Sequence, residues 1–328
     1  MNVTLSRAIL TVAAALTCAV PAAAETACPA FRWITLGTAG GPVPTPERSE
    51  PANLLVAGDR HILVDTGDGT VGQMAKIGVQ MGAVDTVLIS HLHLDHSGGL
   101  AAAIGLRWMN QFPGKLTVYG PPGTRQVVDG IVASMGPPSR IGFGLGVPPP
   151  SPADSVAVVE IGDGARFALG DLTVRAVANS HFDHEGDAKN EGVSLSYRFE
   201  LGGRSITYTG DTGPSAAVET LAMGSDMLVS EVIDLERLLA DIRKRRTDAP
   251  EGMFAQMSQH LSTHHLTAAD LGKLAAKANV ARLVLTHFAV PGPLSEAEPG
   301  LRAGVRLGYF GPVDLARDLS SFDIGCAR

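Results

Sequence analysis

The chain has 328 residues, of which 45% are hydrophobic and 18% charged, so it can bury a sizeable core and is not disordered throughout. Its formal net charge of -7 disfavours a general nucleic-acid binder or a protein of anionic lipid surfaces, because both polyanions attract basic proteins. The 38 glycines, 21 prolines and only 5% aromatic residues favour a loop-rich α/β enzyme over a helical bundle.

The first 24 residues have the pattern of a secretory signal peptide. A basic start precedes an apolar stretch at residues 8–20, and small residues follow before Glu25. The alternative is an uncleaved membrane anchor, but the stretch ends at a proline and is shorter than the roughly 20 residues of a span. We therefore predict a signal peptide at residues 1–24, a mature domain at residues 25–328 without a stable membrane anchor, and a periplasmic or secreted location.

The cysteines are few and lie near the ends. Cys18 falls in the predicted signal peptide, which leaves Cys28 and Cys326 at opposite ends of the mature chain. Disulfides persist in exported proteins, so these two residues can form a single bridge. Two separate buried thiols are the alternative, because the sequence sets no distance between them.

Short apolar runs between glycine-rich turns predict strands along most of the chain. The predicted strands are residues 31–36, 53–56, 61–64, 86–90, 116–119, 156–160, 172–176, 193–199, 205–209, 227–230 and 282–286. Helical patterning predicts helices at residues 71–81, 124–134, 234–244 and 267–278. Residues 135–155 are rich in proline and glycine and predict an irregular loop, either a lid or a linker. Strands with interleaved helices in both halves favour two packed sheets with helices outside.

The most informative segment is residues 90–99, with the letters SHLHLDHSGG. Alternate residues His91, His93 and Asp95 project the same way from an extended chain, and the turn that follows brings in His96. Imidazole and carboxylate are the ligands that zinc and similar divalent metals take in proteins. The segment therefore predicts a metal site at the end of a strand.

Three further donors stand where apolar strands end in loops: His181, Asp211 and His287. Each alone is a weak signal, because single histidines are usually structural and Gly-Asp-Thr is an ordinary turn. Together with the first four donors they suffice for two metal sites. His184 is an alternative donor to His181 in a stretch that is rich in such residues.

The motif at residues 91–96 resembles the His-x-His-x-Asp-His signature of the metallo-β-lactamase superfamily, and the resemblance extends over residues 53–288. Asp65, in the string LVDTG, matches the first motif of that family. The strings at residues 264–270 and 283–288 are similar to late motifs of its ribonuclease Z-like and arylsulfatase-like branch. The resemblance implies the metallo-β-lactamase fold, an αββα sandwich of two mixed sheets with helices outside.

The resemblance also implies which residue holds which of two zinc ions. The first would have three imidazole ligands, from His91, His93 and His181. The second would have one carboxylate and two imidazoles, from Asp95, His96 and His287. Asp211 would bridge both ions, and Asp65 would orient a ligand from behind. True β-lactamases of the superfamily lack the bridging aspartate, so Asp211 argues against an antibiotic-destroying enzyme.

Two zinc ions about 3.5 Å apart would share a bridging hydroxide and stabilise the displacement of an ester. A phosphodiester or sulfate ester suits this site because its transition state spreads negative charge over several oxygens. We assign the catalytic roles to Asp95 and to His265, which would protonate the departing alkoxide. The predicted function is an exported dinuclear zinc hydrolase, similar to phosphodiesterases or arylsulfatases.

Other functions stay open at this point. A lactonase or thioester hydrolase would use the same two metals on a carbonyl group, and a metal-storing periplasmic protein would need no turnover. Processing of tRNA fits poorly, because export separates the chain from that substrate. We therefore predict a small-molecule ester substrate, no nucleic-acid partner and a possible dimer. The basic run at residues 243–246 is expected to be a solvated helix end, because the chain around it is acidic overall.

Overall fold

The computed structural model describes residues 28–141, 150–183 and 192–326. Within these residues two seven-stranded sheets pack face to face, and helices cover their outer sides. This architecture confirms the predicted αββα sandwich of two mixed sheets. The predicted signal peptide, residues 1–24, lies outside the described residues. No helix in the described part is both long and apolar enough to cross a membrane.

The first sheet is formed by the first half of the chain and one late strand. Its members are Phe31–Gly37 (β1), Ala52–Ala57 (β2), Arg60–Thr66 (β3), Val84–Leu88 (β4), Leu116–Gly120 (β5), Val156–Glu160 (β6) and Ser320–Asp323 (β14). Their order is β14-β1-β2-β3-β4-β5-β6. β14, β1, β2 and β3 pair antiparallel and β3 to β6 pair parallel, so the sheet is mixed.

The second sheet repeats this arrangement with the later part of the chain. Its members are Arg166–Leu169 (β7), Leu172–Ala178 (β8), Leu195–Leu201 (β9), Arg204–Tyr208 (β10), Met227–Ile233 (β11), Leu283–Ala289 (β12) and Val313–Leu315 (β13). Their order is β13-β12-β11-β10-β9-β8-β7. β7 to β10 pair antiparallel and β10 to β13 pair parallel, and the parallel pairs are connected through helices.

Helices flank both sheets. They are Thr70–Lys76 (α1), Leu94–Ser97 (α2), Leu100–Met109 (α3), Thr124–Ser134 (α4), Gly136–Ser139 (α5), Ala216–Ala222 (α6), Leu235–Arg245 (α7), Glu251–His264 (α8), Ala268–Lys277 (α9) and Leu294–Val305 (α10). Buried side chains of α1, α3 and α4 pack on the first sheet, and those of α6, α9 and α10 pack on the second.

The central core lies between the sheets and is built around large aromatic side chains. The Trp33 ring on β1 lies 5.9 Å from that of Phe199 and 5.4 Å from that of Tyr208, both on the opposite sheet. All three side chains are almost completely buried. Their contacts fix the distance between the sheets, and therefore the spacing of the loops at the sheet edges.

The helices depart from the sequence-based prediction more than the strands do. α1 ends at Lys76, earlier than the predicted 81, because Gly78 takes a left-handed conformation with φ of +75°. Helices α3, α6, α8 and α10 were not predicted, and α10 contains Pro299. Strands β7, β13 and β14 were not predicted either. In the segment predicted as an irregular loop, α5 and a 3-10 turn at Pro152–Ser155 occur, and residues 142–149 lie outside the described residues.

A disulfide joins Cys28 to Cys326, with their Cα atoms 5.8 Å apart. The two cysteines meet because β1 and β14 are antiparallel neighbours, with Arg32 opposite Asp323 in the register. The predicted single bridge is thereby confirmed, and it joins the start of β1 to the end of β14 at one end of the first sheet.

Replacing both Cys28 and Cys326 by alanine is expected to lower the free energy of unfolding by about 4 to 5 kcal/mol, because the bridge closes nearly the whole chain into one loop. Urea denaturation of oxidised protein measures the change. Each single replacement should cost as much as the double one, since either removes the bond. Additive losses would show that the thiols contribute separately by packing.

Candidate metal centre

The predicted donors gather at one edge of the sandwich. The segment after β4 carries His91 and His93 in a loop and Asp95 and His96 in α2. The other donors are His181 in a 3-10 turn after β8, Asp211 in the loop after β10, and His287 near the end of β12. Parallel strands present their carboxyl ends at the same edge, so four separate parts of the chain deliver donors to one place.

Three imidazoles form the first donor group. The His93 Nδ1 atom lies 3.0 Å from His91 Nε2 and 3.3 Å from His181 Nε2. The His181 Nδ1–H donates to the carbonyl oxygen of His264 at 3.0 Å, which turns Nε2 towards the group. Burial lowers the pKa of His181 to about 3, so its ring is neutral and its lone pair is available to a metal.

Two carboxylates and two imidazoles form the second donor group. The Nε2 atoms of His96 and His287 lie 3.3 and 3.2 Å from Asp211 Oδ1. Both nitrogen atoms also lie 3.7 Å from Asp95 Oδ2. All four side chains are buried, so these charges sit in a medium where they interact more strongly than in water.

Asp211 lies between the two groups. One of its oxygens belongs to the second group, and the residue also has a donor atom within 4.8 Å of donor atoms of His181 and His265. Burial raises the pKa of Asp211. The neighbouring His287 and His96 lower this pKa by more than burial raises it, so the pKa lies well below its ordinary range. The structure thus places an ionised carboxylate where the sequence predicts a bridging ligand.

Three donor atoms of the second group lack hydrogen-bond partners. Among the described residues, His96 Nε2, Asp211 Oδ1 and His287 Nε2 are buried and make no hydrogen bond. Buried polar atoms are rarely left without a partner in native proteins. A metal ion would satisfy all three, and imidazole with carboxylate is a donor set that zinc accepts. The residues present therefore fit a metal ion.

Asp65 supports this arrangement from behind. Its Oδ2 atom accepts from the His96 Nδ1–H at 2.9 Å, the Ser90 hydroxyl at 2.8 Å and the Tyr208 hydroxyl at 2.8 Å, and its Oδ1 accepts from the Ser90 amide at 2.7 Å. Asp65 has φ of +59°, a left-handed conformation that is costly for a residue with a side chain. These contacts orient His96, as the resemblance implies for Asp65.

His265 lies beside the donors and pairs with a buried acid. Its Nδ1 atom lies 2.7 Å from Glu231 Oε2, and the other oxygen of Glu231 accepts from the Thr212 amide at 2.7 Å. Burial lowers the pKa of His265, but the Glu231 carboxylate raises it more, to about 9. The ring is therefore protonated at neutral pH, with Nδ1 occupied by Glu231.

Sequence reasoning missed Glu231 and Tyr208. Glu231 stands inside the mostly apolar strand β11 and Tyr208 is the last residue of β10. Their polar atoms make contacts in the interior of the sandwich. The usable signal is a glutamate in an otherwise apolar buried strand, because a carboxylate is seldom buried without a partner.

The other histidines divide by position. His184, the alternative to His181, lies outside the described residues. His264 is buried, with its Nε2 atom 2.7 Å from the carbonyl oxygen of Asp183 and its Nδ1 atom 2.8 Å from His260 Nδ1. His61 pairs with Val84 at the start of β4, at the opposite end of that strand from the donors.

The basic run at residues 243–246 forms the exposed end of α7 and the residue after it. Three of its arginines pair with acidic residues, as Arg243 with Glu251, Arg245 with Asp241 and Arg246 with Asp248. The pairing agrees with the expected solvated helix end.

The chain is similar to known proteins in sequence and in fold. Residues 60–288 match the family model described as a beta-lactamase superfamily domain. The chain is 30% identical over 300 residues to a ribonuclease Z from Mycobacterium marinum, and the match covers 89% of this chain and 98% of that protein.

Solved structures share the same architecture. The metallo-beta-lactamase fold protein YhfI from Bacillus subtilis has a TM-score of 0.66 at 17% identity, with 90% of this chain and 99% of that chain covered. The short form of human tRNase Z has a TM-score of 0.60 at 21% identity, with 89% and 98% covered. At these identities the likeness establishes the fold.

The prediction of a small-molecule ester substrate without a nucleic-acid partner is wrong in the light of these relatives. The chain matches proteins named ribonuclease Z over nearly their whole length, and such proteins act on RNA. Net charge is an average over the whole chain, whereas phosphodiester chemistry depends on the local field at the metal donors. A value of -7 therefore does not exclude an RNA substrate.

Metal loading is expected to follow the two donor groups. The purified protein should take up two equivalents of zinc, and His93→Ala should lose the equivalent held by the first group. Asp211→Asn should weaken both, because Asp211 lies at both groups. Metal analysis after dialysis measures the stoichiometry, with His61→Ala as the control that keeps two equivalents. Wild-type protein with only a trace of zinc would contradict this prediction.

The pair of His265 and Glu231 should make the metal-free protein dependent on pH. The folded pKa of about 9 lies above the unfolded value of about 6.5, so the stabilisation is complete below pH 6.5 and is lost as the pH rises through 9. The advantage of wild type over Glu231→Gln in unfolding free energy should shrink over this range. Denaturation in excess chelator measures it, and parallel curves for the two proteins would contradict the expectation.

Proposed function

The chain belongs to the metallo-β-lactamase superfamily as a ribonuclease Z-like hydrolase, and on that premise we propose that it hydrolyses phosphodiester bonds with two zinc ions. The observation that carries this proposal is the place of His265, which pairs with Glu231 and has a ring nitrogen within 4.8 Å of donor atoms of Asp211 and His181. An acid in that place suits a reaction in which an alkoxide leaves.

The two donor groups suit a reaction at phosphorus. When bound, two zinc ions would supply a nucleophile from water at neutral pH and offset the charge that develops on the phosphoryl oxygens. His91, His93 and His181 would hold one ion, Asp95, His96 and His287 the other, and Asp211 both. Asp65 keeps His96 in its orientation through a hydrogen bond behind the ring.

His265 is positioned to supply the proton. Glu231 occupies Nδ1, so the proton on Nε2 is the one available to a substrate. The Glu231 carboxylate is itself fixed by the Thr212 amide, which limits rotation of the pair. A phosphodiester with an alkoxide leaving group, such as the ribose oxygen of RNA, needs this proton, whereas a nitrophenolate does not.

We also propose that the chain is exported. The apolar leader with its small residues before Glu25 supports export, and so does the disulfide between Cys28 and Cys326. An exported enzyme would meet phosphodiesters outside the cytoplasm, of which RNA is the class that the relatives' name suggests.

A substrate panel tests the proposed function. Zinc-loaded protein is assayed on a short single-stranded RNA, bis-nitrophenyl phosphate, nitrophenyl sulfate and a lactone. The proposal expects the phosphodiesters to be cleaved at least about 100-fold faster than the lactone, and His93→Ala to abolish the cleavage. Preference for the sulfate would identify a sulfatase, and preference for the lactone would favour chemistry at a carbonyl. Either outcome overturns the phosphodiesterase.

Replacing His265 by alanine should separate its role as an acid from a role in binding. The expected loss of kcat on RNA is about 10²- to 10⁴-fold, and it should shrink on bis-nitrophenyl phosphate because that leaving group needs no proton. Zinc content should be unchanged, and His61→Ala should behave like the wild type on both substrates. Equal losses on the two substrates would show that His265 positions the substrate instead.

A further inference from the structure

Glu50 is a buried acid at the edge of the sandwich that carries the two donor groups, which we call the metal edge. None of the roles described above involves Glu50. It lies just before β2, is 9% exposed, and its Oε2 atom is buried without a hydrogen-bond partner among the described residues. No ion pair in the described part of the chain involves it. A carboxylate in such a place is destabilising unless another group compensates.

Backbone packing places Glu50 next to the second donor group. A Cβ atom at Gly67 would lie 2.6 Å from the Glu50 Cβ and 2.2 Å from the Asp95 carbonyl oxygen, so Glu50 and Asp95 flank the same glycine. The Gly67 amide donates to the Pro51 carbonyl oxygen at 2.8 Å, which holds the two segments together. Only glycine allows this close approach.

The charges around Glu50 agree with that position. Burial raises the pKa of Glu50, and the Asp95 charge raises it further, while His287 and His96 lower it. Glu50 therefore interacts electrostatically with three of the four members of the second donor group, namely Asp95, His96 and His287. The like charges of Glu50 and Asp95 repel each other, and a nearby cation would offset this repulsion.

We propose that Glu50 is an outer carboxylate of the second metal group, which strengthens the binding of a divalent cation by Asp95, His96, Asp211 and His287 without being a ligand itself. This inference rests on the two-zinc centre of the proposed function. Glu50 is a positioning residue in this role, because its charge acts on the cation through the intervening ligands. Loss of such outer partners typically costs about 10- to 100-fold in metal affinity.

Zinc affinity, measured by competition with a chromogenic chelator, tests the proposal. Glu50→Gln keeps the shape of the side chain and removes its charge. It should weaken the affinity only for the zinc ion of the second donor group, by about 10- to 100-fold. A His93→Ala background, in which the first group lacks a ligand, assigns the effect to the second group. Glu47→Gln is the matched control, because it removes the same charge from an exposed side chain of the same loop. It should change both affinities by less than about 2-fold.

The stability of the metal-free protein provides a second readout. Removing a buried charge without a partner should leave Glu50→Gln at least as stable as the wild type, although zinc then stabilises it less. Glu50→Asp keeps the charge and should retain most of the affinity. A Glu50→Gln protein that is less stable without metal and binds both zinc ions normally would overturn the proposal in favour of a structural role.

The same titration separates this inference from the proposed function. Wild-type protein that binds fewer than two zinc ions overturns the two-zinc centre, and the Glu50 proposal with it. Two ions bound equally by wild type and Glu50→Gln overturn the role of Glu50 alone. Selective weakening of the second ion supports the proposal whatever the substrate panel gives.

Discussion

The buried carboxylate of Asp65 is the contact on which the metal edge depends. It stands on β3 in the first sheet and accepts from Tyr208 of the second sheet, from His96 and twice from Ser90. The Asp65 side chain thus connects both sheets with the segment after β4 that carries four of the donors. The cost of its left-handed backbone is offset by these four hydrogen bonds, which are made between buried side chains and the buried Ser90 amide.

Most strands and all seven donors could be predicted because their signals are local, whereas the short strands β7, β13 and β14 were not predicted. Residues 91–96 form a compact motif, and apolar runs mark the strands that precede the other donors. Of the supporting residues only Asp65 was predicted. Tyr208 and Glu231 make contacts between segments far apart in the chain, and the position of Glu50 next to Gly67 depends on such packing too. Their significance comes from tertiary packing, for which a single sequence carries no distance information.

The missed helices have a different cause. α3 is mostly alanine, leucine and glycine, so apolar residues do not recur with a clear period, and α10 contains Pro299, which usually ends a helix. Tertiary packing overrides these weak signals, since both helices bury one face against a sheet. Strands were predicted from the sequence more successfully than helices, because a strand buried on both faces is apolar along its whole length.

The bridged ends of the chain have a consequence for how this molecule can be handled. β1 starts three residues after Cys28, and the chain beyond its far end packs against His287 and Phe288, next to the donors. A seven-residue strand spans about 23 Å, so the bridge between Cys28 and Cys326 lies at the end of the sandwich remote from the metal edge. A carrier or solid support attached beside either cysteine would leave the metal edge turned towards solution.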